Sequence, residues 1–216
     1  MTVNLKQMQE AQANFFFAYG LAMAKWADVE RGLYYWFAGI AGMKDGLCRA
    51  IFYGSRGFAA RLEMLEGSIP FAERQTAEEI AFIREAIKAA RRYSGFRNKI
   101  AHGEPIPIIT DDGVIMSMGN AKDITDKSVE IKIDDLIAAA TNFSDLASAI
   151  ISAIPKNREG KPLSEYLSQV LQLPNEANSK NAQTDSAPAQ PPQTDGRVNK
   201  RAFRAAQQAG KSQPKE

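Results

Sequence analysis

Apolar residues near the start of the chain recur at alternating spacings of three and four: Tyr19, Ala22, Trp26, Val29, Leu33, Trp36 and Ile40. One stripe on a period of about 3.6 residues predicts a long amphipathic helix from about Leu5 to Ala41. Gly42 to Gly46 interrupt it, and a second helix follows with Leu47, Ile51, Phe58, Leu62, Leu65 and Ile69 on its inward face and a kink at Gly54 and Gly57. Pro70 closes that region. Thr76-Ala77-Glu78-Glu79 has the form of a capping box, and it opens a third helix whose buried stripe begins Ile80, Ile83, Ile87, Ala90.

After Gly103 the texture changes. Pro105 to Ile109 and Val114 to Met118 flank Asp111-Asp112-Gly113, which predicts a hairpin, and the alternation Val129, Ile131, Ile133 predicts a third strand. Asp134 and Asp135 then open a fourth helix through Ile154, with Leu136, Ile137, Ala140, Phe143, Leu146, Ile150 and Ile154 inward, and a shorter helix spans Pro162 to Leu173. The fold class is mainly α, an antiparallel helical bundle with a small β insertion at about 105–133.

Charge divides the chain further. Residues 1–173 hold 20 Lys+Arg against 21 Asp+Glu, a net of −1, whereas 174–216 hold 7 against 4, a net of +3. The second stretch also contains five of the ten prolines and few large apolar side chains, too few to offset the entropy of ordering, which predicts a disordered basic tail after a domain at 1–173. Within it, Arg197 to Ala209 could form a short basic helix through Lys200, Arg201 and Arg204, although a solvated tail accounts for the same residues more simply. One cysteine, Cys48, rules out an intrachain disulfide. The start of the chain lacks a secretory pattern, so a cytoplasmic location is expected. The longest uncharged apolar runs, Phe15 to Ala24 and Gly32 to Met43, are shorter than the ~20 residues of a membrane span.

The candidate chemistry lies in Arg97-Asn98-Lys99-Ile100-Ala101-His102-Gly103, which holds the one histidine of the chain. Continuing the third helix's stripe through Ser94, Arg97 and Ala101 turns Arg97 inward, where a guanidinium snorkels, meets a carboxylate or faces a second chain. Glu30, between Trp26 and Leu33 at the border of the first stripe, is the candidate partner. Asn98 and His102 are four residues apart, so a helix that persists to His102 puts them on one face, where the amide can orient the imidazole. Gly103 suits the position just past a helix end, and His102 in the last turn feels a dipole that favours its protonated form. Arg84, Lys88, Arg91, Arg92 and Lys99 add a basic track suited to a phosphate backbone.

Cleavage of RNA through its own 2′-hydroxyl needs a base, an acid and a cation for the crowded phosphorane. One histidine per chain supplies one proton-transfer group, so two copies packed through their third helices would supply both. A twofold homodimer with a composite site is therefore expected. One histidine without an acidic cluster is a poor metal-ligand set, and neither metal nor other cofactor is expected. The same residues also fit ordinary C-terminal capping of a helix.

Arg97, the polar Asn98 that follows it, and His102 after four intervening residues resemble the motif of the HEPN superfamily. The resemblance covers the helical part of residues 5–154, with its specific signal in Arg97 to His102. It implies an antiparallel bundle, homodimerisation and metal-independent endoribonuclease activity of the toxin or anti-phage kind, with Arg97, Asn98 and His102 as active-site residues. HEPN toxins neutralised by a nucleotidyltransferase antitoxin carry a tyrosine two residues after the histidine, where this chain has Glu104. The resemblance therefore implies that control by another antitoxin or regulatory protein is open, while adenylylation is not expected.

Three readings follow: a homodimeric HEPN-type ribonuclease, a non-catalytic HEPN-like module that holds RNA or protein, and a helical adaptor whose tail docks on a partner while Glu30 and Arg97 form a structural ion pair.

Overall fold

The first apolar stripe folds into α1 (Leu5–Ala41) in the computed structural model of the chain, which describes residues 5–110, 113–119, 131–158 and 160–179. Its inward face buries Ala22, Trp26, Val29, Leu33 and Trp36, five of the seven positions of the predicted stripe. Next come α2 (Asp45–Gly54), α3 (Phe58–Ser68), α4 (Ala77–His102), a hairpin of β1 (Glu104–Thr110) and β2 (Gly113–Gly119), α5 (Ile133–Ser152) and α6 (Leu163–Gln172). The protein is mainly α, a helical bundle with one small antiparallel sheet. Among the described residues no helix is long and apolar enough to cross a membrane.

The core lies where α1, α4 and α5 meet. Trp26 stands edge-on to Phe58 at 4.7 Å and to Phe143 at 5.0 Å between ring centroids, and Tyr93 of α4 reaches the same Phe143 at 6.0 Å. Ten residues along α1, the Trp36 indole N–H donates to the Ile150 carbonyl at 3.0 Å, and the ring packs on Phe82. Later residues of α1 thus meet later residues of α5 but earlier residues of α4. α1 and α5 run in the same direction, with α4 antiparallel to both, as an up-down-up order of α1, α4 and α5 requires.

Gly32 is what lets α1 and α5 approach so closely. A Cβ there would fall 2.7 Å from Ile150 Cγ2 and 3.2 Å from Ile151 Cγ1. Gly32→Val is expected to lower stability by about 1–3 kcal/mol, the usual cost of overpacking, which exceeds what the helix regains when a conformationally free glycine is replaced. A urea midpoint equal to wild type would show that the two helices can part without cost.

The second predicted helix is two. Ser55-Arg56-Gly57 break it, with Gly57 at φ 86°, a conformation that side chains resist, directly before α3. The break resets the helical phase, so α3 buries Phe58, Leu62 and Leu65 as expected while α2 buries Cys48 and Phe52. Leu47 and Ile51, expected inward, are exposed.

The capping box at α4 is present: Thr76 Oγ1 accepts from the Glu79 N–H at 3.2 Å, and the Glu79 carboxylate accepts from the Thr76 N–H at 2.9 Å. Buried Glu79 also pairs with Arg158, which closes this end of the bundle. The hairpin pairs Glu104 with Gly119 through Thr110 with Gly113. Of the predicted third strand only Ile131 is seen paired, in a single bridge to Met118; Ile133 already begins α5, and Val129 lies outside the described residues. In α5, Ile137 is 49% exposed, against expectation, because the helix turns its Ala138, Ala139 and Ala140 to the core at that level.

The domain also extends past its predicted end at 173. Tyr93 donates its hydroxyl to the Pro174 carbonyl at 2.9 Å, and the buried Asn142 amide donates to the carbonyls of Ala177 at 2.6 Å and Ser179 at 2.9 Å. Ala177 is itself buried. Residues 174–179 therefore belong to the packed domain. That part of the expected disordered tail is packed; the rest of it, 180–216, with the candidate basic helix at 197–209, lies outside the described residues.

Tyr34, buried near the turn into α2, donates its hydroxyl to the Asp45 carboxylate. Burial first, then that hydrogen bond and the negative charge of Asp45, push its pKa up to about 12. The neutral phenol is favoured in the folded state, so its contribution to stability is complete below pH 10 and is lost as pH rises from 10 toward 12. Alkaline titration followed by tyrosinate absorbance should show a last component that disappears in Tyr34→Phe. An unchanged titration in that variant would refute the assignment.

Candidate functional site

α4 runs without interruption from its Thr76 cap to His102, so the helical geometry expected for Arg97, Asn98 and His102 is present. The next residue, Gly103, has φ −76° and ψ 154°, an extended conformation and not the left-handed one common after helices. It is glycine for lack of space: a Cβ would collide with Met118 of β2 and come 2.9 Å from the Lys99 carbonyl. The hairpin thus packs directly against the end of α4 that carries the histidine.

Arg97 is only partly buried: at this end of α4 the core takes Tyr93, Phe96 and Ile100, one position before the predicted Ser94, Arg97 and Ala101, which lie at the border of the buried face. The Arg97 guanidinium lies 4.0 Å from the Glu30 carboxylate, and its side chain keeps 26% exposure. It also donates to Asn98 Oδ1 at 3.2 Å. His102, five residues on at about 100° per residue, points about 140° away around the helix axis. It is exposed, and no hydrogen bond joins it to Asn98 among the described residues. The Asn98 oxygen is instead engaged by Arg97. The structure therefore brings Glu30, Arg97 and Asn98 together within one chain and sets His102 apart on the outward face.

Glu30 has a stronger partner that the sequence did not single out. Arg61 of α3 donates to Glu30 Oε2 at 2.5 Å, and the Trp26 indole N–H donates to Oε1 at 2.8 Å. The carboxylate is thus fixed by the core tryptophan one helical turn before it, and its side chain is 13% exposed. The Arg61 guanidinium also lies over the Tyr53 ring, 5.2 Å from its centroid. Burial, followed by the negative charge of Glu30, raises the Tyr53 pKa. The Nε atoms of both Arg61 and Arg97 are buried without a hydrogen-bond partner. Of the three buried side-chain polar atoms left unpaired among the described residues, two belong to this cluster.

The basic track is exposed along its whole length, at Arg84, Lys88, Arg91, Arg92 and Lys99. It is partly neutralised. Lys88 pairs with Glu85 at 2.6 Å, Arg91 pairs with Glu66 of α3 at 2.8 Å, and Arg92 stands over the Tyr93 ring. Arg84 and Lys99 have no ion pair among the described residues. Exposed ion pairs contribute only about 0–1 kcal/mol each, so an arriving phosphate backbone can displace them at little cost. Asn98 and His102 lie on the same side of α4 as Arg84 and Arg91, within about 40° of one another around the axis, and Lys99 lies about 60° from His102 on its other side.

No family model matches the chain, and no curated protein or solved structure gives a significant match to it. Among the described residues no three His, Cys, Asp or Glu side chains are grouped so as to hold a metal ion. The functional reading consequently rests on the residues themselves.

Proposed function

We propose that the protein is a metal-independent HEPN-type endoribonuclease that acts as a homodimer in the cytoplasm, in a toxin or anti-phage role, with RNA as substrate. The observation that carries this reading is the disposition of α4. His102 is exposed and has no hydrogen bond or ion pair among the described residues, in the last helical turn and on the side of the basic track, whereas Arg97 is partly buried on another side, 4.0 Å from Glu30. Within one protomer the proton-transfer group and the phosphorane-binding cation face different directions. A twofold partner meeting α4 supplies a second imidazole, so that one His102 acts as base on the 2′-hydroxyl and the other as acid on the leaving 5′-oxygen. Arg97 stabilises the phosphorane and Asn98 holds the Arg97 guanidinium in place. An antitoxin or regulatory protein that covers the exposed face of α4 would silence such a site.

The reaction is tested with purified protein and single-stranded RNA in EDTA. Cleavage should leave a 2′,3′-cyclic phosphate on one fragment, and the protein should sediment as a dimer. Cleavage that requires added metal, or products with a 3′-hydroxyl, would exclude the mechanism.

One observation favours a second reading, a non-catalytic HEPN-like module that binds RNA or protein. Arg97 already meets Glu30 and Asn98 internally, as a structural arginine does. Salt-sensitive binding of RNA that is recovered intact would decide for it.

A further inference from the structure

The Glu30 cluster has an excess of guanidinium. Arg61 from α3 and Arg97 from α4 converge on one carboxylate from α1, so two positive charges share one negative charge and the cluster keeps a net charge of +1. Each guanidinium has five N–H donors in a planar fork that matches a carboxylate or a phosphate. Here Arg61 uses one on Glu30, Arg97 stands at the 4.0 Å limit of an ion pair, and the Nε donors of both are buried with no acceptor. A buried donor without an acceptor is costly, and a carboxylate offers about four lone-pair positions, so with one given to the Trp26 N–H about three are left for two forks that need four. A tetrahedral oxyanion has enough oxygens to satisfy both forks.

We infer that Arg61 and Arg97 together form a phosphate-binding clamp, and that Glu30 is the resident carboxylate that occupies it until a phosphate group displaces it from Arg61. The clamp opens on solvent: the side chains of Arg61 and Arg97 keep 18% and 26% of their exposure, and exposed Asn98 lies at its edge. Trp26 retains Glu30 by one oxygen during the exchange, which limits the movement to the oxygen that faces Arg61. Arg61 is thus a substrate-binding residue for the site proposed above, and the inference rests on that reading only in identifying the phosphate as that of an RNA backbone.

Binding is measured by calorimetry with inorganic phosphate and, separately, with a 2′-deoxy dinucleotide, whose phosphodiester cannot be attacked by a 2′-hydroxyl. Arg61→Lys keeps the charge but loses the fork, and both ligands should bind at least about tenfold more weakly. Glu30→Gln keeps an acceptor for Trp26 and removes the competing charge, so both should bind about tenfold more tightly. Circular dichroism and the urea midpoint of each variant report whether the fold is kept. Wild-type affinity in Arg61→Lys, or weaker binding in a folded Glu30→Gln, would overturn the clamp. If RNA is not cut at all while phosphate binding follows Arg61, the ribonuclease reading falls and the clamp stands. If RNA is cut equally by wild type and Arg61→Lys with unchanged phosphate affinity, the clamp falls and the ribonuclease reading stands.

Discussion

His102→Ala should lower the rate of RNA cleavage in EDTA by at least about a hundredfold, the lower range for loss of a general acid or base. The loss should be larger than for most single proton-transfer groups, because the twofold arrangement makes one substitution remove both the acid and the base. Stability should hardly change. His102 is exposed and no hydrogen bond joins it to another residue among the described residues, so truncation should shift the unfolding free energy by no more than about 0.5 kcal/mol. This separates catalysis from folding in a way Arg97→Ala cannot, since Arg97 also holds Glu30. Sedimentation should find the variant dimeric. Cleavage by His102→Ala at the wild-type rate would remove the imidazole from the mechanism, whatever the fate of the dimer.

Trp26→Ala should be the most destabilising substitution in the domain, by about 3–5 kcal/mol, the range for truncating a fully buried tryptophan. The ring joins α1 to α3 through Phe58 and to α5 through Phe143, and its N–H fixes Glu30. Against a typical total of about 5–15 kcal/mol, that loss is a large share of the stability of the domain. Trp26→Phe separates the two roles. It keeps an aromatic edge for Phe58 and Phe143 but removes the N–H, and should cost about 1–3 kcal/mol, part of it from the unpaired Glu30 oxygen and part from the smaller ring. Urea unfolding of the three proteins checks both values. A loss below about 1 kcal/mol in Trp26→Ala would mean that the three helices are held together elsewhere.

Long helices with one continuous apolar stripe were legible in the sequence because periodicity needs only a rigid phase. α1 and most of α4 meet that condition, and the Glu30–Arg97 pair follows from Glu30 at the border of one stripe and Arg97 on the continuation of the other, although the core takes Tyr93, Phe96 and Ile100 one position earlier there. Where the backbone breaks, the phase is lost. Extrapolating α3 back through Ser55-Arg56-Gly57 put Leu47 and Ile51 inward, one position short of the buried Cys48 and Phe52. Arg61 escaped notice for a different reason. It lies between Phe58 and Leu62 just as Glu30 lies between Trp26 and Leu33, so the same border criterion selects it, but only the tertiary fold shows that α3 brings it to Glu30. The packing of residues 174–179 had no signal in composition, since backbone carbonyls carry it. Whether two copies place their His102 side chains together is a property of the pair that neither one sequence nor one chain contains.

The amide of Asn142 sits in the core of α5 with its two hydrogens spent on carbonyls that come after the last helix. A shortened version of the protein that stops at Leu173 would strand that amide in an apolar interior and uncover the Tyr93 hydroxyl as well. Keeping the chain through Ser179 leaves closed the buckle by which residues 174–179 fasten to the bundle.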